Sequence, residues 1–155
     1  MTPEQNLMSA LAKAVFRLNG KFLAVGEELA RSAGMTASWW LVLGTALSAP
    51  RSVADIGREV GVTRQSVQRT ADLLVRHGLA EYLSNPAHRR AKLLAPTEAG
   101  RAAIRRIAPA HRSYSETLVG RMGRDEAAKM LAVLRGLSET LDSVGIPSDH
   151  LFEAG

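Results

Sequence analysis

Arg64, Gln65, Ser66, Gln68 and Arg69 stand almost side by side, opened by Thr63. Guanidinium, amide and hydroxyl groups at this density can hydrogen-bond base edges and phosphates. A second group, His88, Arg89, Arg90 and Lys92, follows later in the chain. On its own the first group would pass for a solvated helix face, since Arg and Gln are good helix formers. The second group makes a polyanion-binding surface the stronger reading. Little else in the chain carries chemistry. No acid/base pair, nucleophile constellation or phosphate-binding glycine loop occurs at motif spacing, so an enzyme is not expected and no cofactor is implied. Cysteine is absent, which excludes disulfides and thiolate catalysis. His77, His88, His111 and His150 are scattered, and no pair has the helical spacing of metal ligands.

The elements that must hold these residues can be read from Ser52 to Gly78. Val53, Ile56 and Val60 form one apolar stripe, with Ser52 as N-cap and Asp55 three residues on. Gly61 supplies the left-handed residue that ends this helix. Thr63 caps a second helix whose stripe is Val67, Ala71, Leu74 and Val75, closed by Gly78. Two helices joined by a short turn with Gly make a helix-turn-helix, and the polar group lies at the start of the second, where base contacts are made. Leu79–Leu83 and Ala91–Ala95 then read as strands around the turn residues Ser84-Asn85-Pro86. The cationic second group sits at the tip of that hairpin. A basic hairpin directly after a recognition helix is a winged helix-turn-helix.

The rest of the chain is helical. Leu7, Leu11, Ala14, Leu18, Phe22, Val25 and Leu29 repeat at steps of three and four, a narrow seam that needs a partner surface. Gly20 and Gly26 could break this helix. Thr36 opens a second helix, expected to run to Pro50, with Trp39 and Trp40 on adjacent faces. Thr97 caps a helix expected to be interrupted at Pro109. After Gly123, with Asp125 as N-cap, the last helix turns Ala127, Met130, Leu131, Leu134, Leu137, Leu141 and Val144 inward, and Gly145 and Pro147 end it ahead of a loose tail. The fold class is therefore mainly α with a small β-hairpin wing, flanked by N- and C-terminal dimerisation helices. The expected segments are 1–34 for the first dimerisation helix, 35–100 for the winged domain and 101–155 for the C-terminal helices.

The 155 residues carry a net charge of +5, and its placement is informative. Residues 51–106 hold eleven Lys or Arg against five acids, while the remainder is close to neutral. The excess lies where phosphate would require it, although RNA or an acidic membrane surface would also suit a basic patch. No run is long enough to span a bilayer and no secretory signal is evident, so a cytoplasmic location and no membrane partner are expected.

With these residues in place, the layout resembles the MarR family of transcription regulators from about Leu7 to Leu141. Met35-Thr36-Ala37-Ser38-Trp39-Trp40-Leu41-Val42-Leu43 is similar to the family's Leu-Thr-x-x-Gln-Trp-x-Val-Leu. Val53 to Gly78-Leu79 resembles its helix-turn-helix. Asn85-Pro86-Ala87-His88-Arg89-Arg90-Ala91-Lys92, continuing to Thr97-Glu98-Ala99-Gly100, resembles its wing, Asp-Pro-x-Asp-Arg-Arg…Leu-Thr-x-x-Gly. Asn85 and His88 stand where the family usually has Asp, Pro96 replaces a Leu, and Trp39 replaces a Gln. Family wing carboxylates brace the arginines, a role that protonated His88 cannot take.

The resemblance implies a homodimer with interwoven terminal helices, bound to double-stranded DNA at a pseudo-palindromic operator, and a repressor. It also implies a ligand cleft between the dimer helices and the winged domain for a small phenolic or aromatic effector, with Phe16, Met35, Trp39 and Trp40 as candidate lining. The competing reading is a sequence-tolerant architectural DNA-binding protein, which would rely on DNA deformation and backbone contacts. The amides and hydroxyl of Gln65, Gln68 and Ser66 favour base reading.

Overall fold

The computed structural model describes residues 1–146. The expected stop at Pro147, the tail beyond it and His150 lie outside the described residues. The chain comprises six helices and three short strands: α1 (Pro3–Arg31), α2 (Ala37–Thr45), β1 (Arg51–Ser52), α3 (Val53–Val60), α4 (Arg64–Arg76), β2 (Ala80–Leu83), β3 (Leu93–Pro96), α5 (Glu98–Met122) and α6 (Arg124–Val144). It divides into two compact units, Met1–His111 and Arg112–Gly155. No described helix is long and apolar enough to cross a membrane.

The first unit holds the core. Leu43, Ile56, Val67, Leu74, Leu94 and Ile107 are fully buried and come from α2, α3, α4, β3 and α5. Burying side chains of this size stabilises the unit by about 1.5–3 kcal/mol each. The helix ends are built as the sequence indicates. The Ser52 hydroxyl accepts from the Asp55 amide (3.1 Å) and donates to its carboxylate (2.7 Å), which starts α3. Gly61 ends α3 at φ +71°. The Thr63 hydroxyl accepts from the Ser66 amide (3.1 Å), which starts α4, and Gly78 follows its end at φ +71°.

Several expectations are corrected. α1 runs unbroken through Gly20 and Gly26. At Gly26 the missing side chain has a use, because a Cβ there would come within 3.1 Å of the Ala37 Cβ where α1 passes α2. α2 stops at Thr45 rather than near Pro50. The Thr45 hydroxyl bonds back to the Leu41 carbonyl (2.8 Å), and the Leu47 amide closes a tighter turn on the Gly44 carbonyl. α5 continues through Pro109 without interruption, losing one backbone hydrogen bond but keeping its other turns. Asp125 is not the N-cap of α6. Gly123 takes that place without a side-chain bond, and Asp125 lies in the first turn, where its charge suits the helix dipole.

The wing differs in extent. β2 starts at Ala80 rather than Leu79, and β3 starts at Leu93 rather than Ala91 and runs one residue further than expected, so that Pro96 ends it while pairing with Ala80. Pro is tolerated at a strand terminus. A third strand, β1, pairs antiparallel with β3, giving the order β1-β3-β2. Its two residues are too short a run to carry a periodicity.

In the second unit α6 buries none of its residues. Met130, Leu131, Leu134, Leu141 and Val144 are exposed, so the inward orientation expected for this stripe is not met among the described residues. The α1 stripe of the first unit is likewise exposed at Leu7, Leu11, Leu18 and Phe22.

One joint sets the geometry of the winged part. The Thr97 hydroxyl donates to the Gly78 carbonyl (2.6 Å) and accepts from the Gly100 amide (3.2 Å), while the Thr97 amide donates to the Leu79 carbonyl (3.1 Å). At Gly100 an added Cβ would lie 2.0 Å from the Leu79 carbonyl oxygen. Backbone meets backbone there and neither side can yield. Gly100→Ala is expected to destabilise the protein by about 2–3 kcal/mol or more. Gly136→Ala, where a Cβ meets nothing within 4 Å, should be neutral or stabilising. Urea unfolding at fixed protein concentration checks both.

Candidate nucleic-acid interface

α4 places its chemistry by helical spacing. Val67, Ala71 and Leu74 are buried, which leaves Arg64, Gln65, Gln68, Arg69 and Asp72 on the outer face. These five line a shallow hollow of about 700 Å3. Thr63 and Ser66 serve the helix start, Thr63 through its hydroxyl and Ser66 through its backbone amide.

The wing stands beside this face. A second cleft of about 320 Å3 brings Arg64 and Gln68 of α4 together with Tyr82 of β2 and with Arg90 and Lys92 of the hairpin loop. Residues far apart in sequence thus share one surface. His88 and Arg89 are exposed on the same loop but do not line the cleft. The Asn85 side chain accepts from the Ala87 amide (3.0 Å), and the Ala91 amide donates to the His88 carbonyl (3.2 Å). These local bonds shape the loop without the carboxylates found in the family's pattern. Among the described residues, none of Arg64, Arg69, Arg89, Arg90 and Lys92 is paired with a carboxylate. Five uncompensated cations on one side of the molecule suit a polyanion. Three other bases of the segment 51–106 do find carboxylate partners: Arg51 pairs with Glu59 (2.9 Å), Arg58 with Asp55 and Arg105 with Glu98.

The sequence reading missed two residues of this surface, Asp72 and Tyr82. The Tyr82 hydroxyl donates to Asp72 Oδ1 (2.6 Å), and Gln68 Nε2 donates both to Asp72 Oδ1 (3.0 Å) and to the Tyr82 oxygen (2.9 Å). The i, i+4 spacing of Gln68 and Asp72 signals their contact. Nothing local to β2 signals that Tyr82 faces them. The hydrogen bond from Tyr82, then that from Gln68, holds the Asp72 carboxyl below its usual range. Burial, then the Asp72 hydrogen bond, pushes the Tyr82 phenol upward.

The four candidate ligand residues are not brought together. A cavity of about 500 Å3 opens between α1 and α2, with Asn19, Phe22, Leu23, Trp40 and Leu41 among its walls. Of the four, only Trp40 lines it. Its ring also meets His111 edge-on at 5.0 Å. Met35 is 5% exposed and belongs to the core, Phe16 is 75% exposed on α1, and the Trp39 ring packs against His77 at 4.7 Å. Among the described residues no group of acids and histidines could hold a metal ion.

The Asp72 shift has a pH consequence. A carboxyl depressed in the folded state stabilises above its ordinary value of 3.8, and that contribution fades as pH falls through the depressed value. Asp72→Asn should therefore cost more stability at pH 7 than at pH 3, by a modest amount because the group is exposed. Urea midpoints of both proteins at the two pH values measure it.

Comparison with known proteins gives this surface its context. The MarR family model matches residues 33–91, which cover α2 to the wing tip. The uncharacterised protein Rv2011c of Mycobacterium tuberculosis is 40% identical over 100 residues, 64% of this chain and 70% of that protein. A MarR mutant from Escherichia coli, solved in complex with operator DNA, superposes with a TM-score of 0.72 at 21% identity, covering 85% of this chain and 96% of that one. The regulator BpsR of Bordetella bronchiseptica, whose DNA binding is regulated by 6-hydroxynicotinic acid, superposes with a TM-score of 0.69 at 21% identity, covering 83% of this chain and 98% of that one. The helix-turn-helix, the basic wing and these matches agree: the chain belongs to the MarR family of winged helix-turn-helix, DNA-binding transcriptional regulators, which are not enzymes.

Proposed function

We propose that this regulator acts as a homodimeric repressor, reading a pseudo-palindromic operator and retuned by a small aromatic effector. The observation that carries the reading is the shared surface of α4 and the wing, where Arg64, Gln68, Arg90 and Lys92 border one cleft. Thr63, Arg64, Gln65, Ser66, Gln68 and Arg69 are assigned to the major groove and its flanking phosphates. His88, Arg89, Arg90 and Lys92 are assigned to the backbone and the adjacent minor groove. Amide side chains at the start of α4 favour base reading over purely architectural binding.

Dimerisation is supported by the exposed apolar stripes of α1 and α6, the two helices that together carry most of the large exposed hydrophobic side chains. Exposed apolar area of this extent marks an interaction site. The segments 1–34 and 101–155 are assigned to the dimer, and 35–100 to DNA. A two-fold dimer presents two copies of α4 to half-sites related by a dyad. The effector is assigned to the cavity between α1 and α2, because its walls are largely apolar and Trp40 offers an aromatic face. Regulation of BpsR by 6-hydroxynicotinic acid lends support to that ligand class.

Selection of bound duplexes from a random pool tests the reading. Enriched sequences should contain two inverted half-sites centred about 10 bp apart. Enrichment without a dyad would count against it. On the selected duplex, Arg90→Ala should reduce the log–log salt slope of binding by about one unit per protomer, or about two per dimer. An unchanged slope would remove Arg90 from the contact. Leu11→Asp should shift the chain from dimer to monomer in sedimentation equilibrium and weaken operator binding about tenfold or more.

A further inference from the structure

Gln68 is the fifth residue of α4 and is exposed, yet its amide is not free. Both hydrogens of its Nε2 have protein partners, one on Asp72 Oδ1 (3.0 Å) and one on the Tyr82 oxygen (2.9 Å). The Tyr82 hydroxyl spends its own hydrogen on the same Asp72 oxygen (2.6 Å). A glutamine amide has two donor hydrogens and one acceptor oxygen. The triangle consumes the donors and leaves the Oε1 atom. The opposite amide orientation would set Oε1 against an ionised carboxylate, an acceptor against an acceptor, so the orientation follows from the chemistry of the three groups. Asp72 remains acceptor-only because the same bonds hold its carboxyl low.

We infer that Tyr82 and Asp72 clamp Gln68 so that it offers the major groove an acceptor and no donor, and that this makes Gln68 select a base with an exocyclic amine, adenine or cytosine. A free glutamine favours adenine by pairing with N6 and N7 together. The clamped one can accept from adenine N6 or cytosine N4 but cannot donate to N7. Guanine and thymine show only acceptors in the groove and are refused. Tyr82 acts here as a positioning residue, through Gln68 and without touching DNA. It lies on β2, so base preference on α4 is set partly from the wing sheet. The inference rests on the assignment of α4 to the major groove made above.

The test is selection from a duplex pool with the 155-residue chain and three variants. Gln68→Ala identifies the position, because there the four bases should become equivalent. At that position the unaltered protein should favour adenine and cytosine over guanine and thymine by about fivefold or more, without separating the first two. Tyr82→Phe keeps the ring but releases one amide hydrogen. Adenine should then gain over cytosine, and the penalty on guanine should shrink by at least half. Asp72→Asn, at an exposed site, frees the amide to turn and should change the preference in the same direction. It is read in place of Tyr82→Phe if that variant loses its far-UV circular dichroism. A folded Tyr82→Phe or Asp72→Asn protein with an unaltered base preference would overturn the clamp while leaving Gln68 as a base reader. A Gln68→Ala protein that loses affinity equally for all sequences would overturn the base-reading role, and the clamp's consequence with it.

Discussion

The contact between the end of the recognition helix and the start of α5 is the constraint on which the rest of the winged unit depends. Thr97 bonds to the Gly78 carbonyl and caps α5 at once, and Gly100 lets the Leu79 carbonyl approach where no side chain would fit. This joint fixes where β2 departs from α4 and where β3 returns. The positions of Tyr82, Arg90 and Lys92 relative to Gln68 and Arg64 follow from it. The two sequence patterns that resemble the family, Gly-Leu after the recognition helix and Thr-x-x-Gly after the wing, are the two sides of this contact. Their distance in sequence hides that they are one structural device.

Electrostatics and hydrogen bonding then divide the work on the surface. The arginines and Lys92 carry charge with no carboxylate partner among the described residues, which suits a sequence-independent, salt-dependent attraction to phosphate. In the proposed function the discrimination falls to the amides of Gln65 and Gln68. Acidic Asp72 on the same face would repel phosphate if it stood alone. It stays ionised, and its oxygen is engaged by Tyr82 and Gln68, so the charge serves to hold the Gln68 amide in one orientation.

Much of this was legible in the sequence because the signals are local. Helix caps at Ser52, Thr63 and Gly61, the stripe Val67-Ala71-Leu74, and the basic loop tip all depend on neighbours a few residues away. The elements read less well are those that depend on distant partners. β1 exists only because β3 lies beside it. α5 continues through Pro109, against a local rule. Tyr82 could not be assigned to the Gln68–Asp72 pair because that contact crosses from sheet to helix. The ligand candidates lie apart for the same reason: nothing local to Met35, Trp39 or Trp40 tells a core residue from a cavity wall, which only packing separates.

In the proposed function α4 and the wing engage DNA together, twice, about a dyad. Hydroxyl-radical footprinting of the 155-residue chain on its selected duplex measures this most directly. The predicted pattern is two protected segments about one helical turn apart, related by the dyad, each flanked by a shorter protection where Arg89 and Arg90 reach the neighbouring groove. A single protected segment, or uniform protection without a dyad, would contradict it.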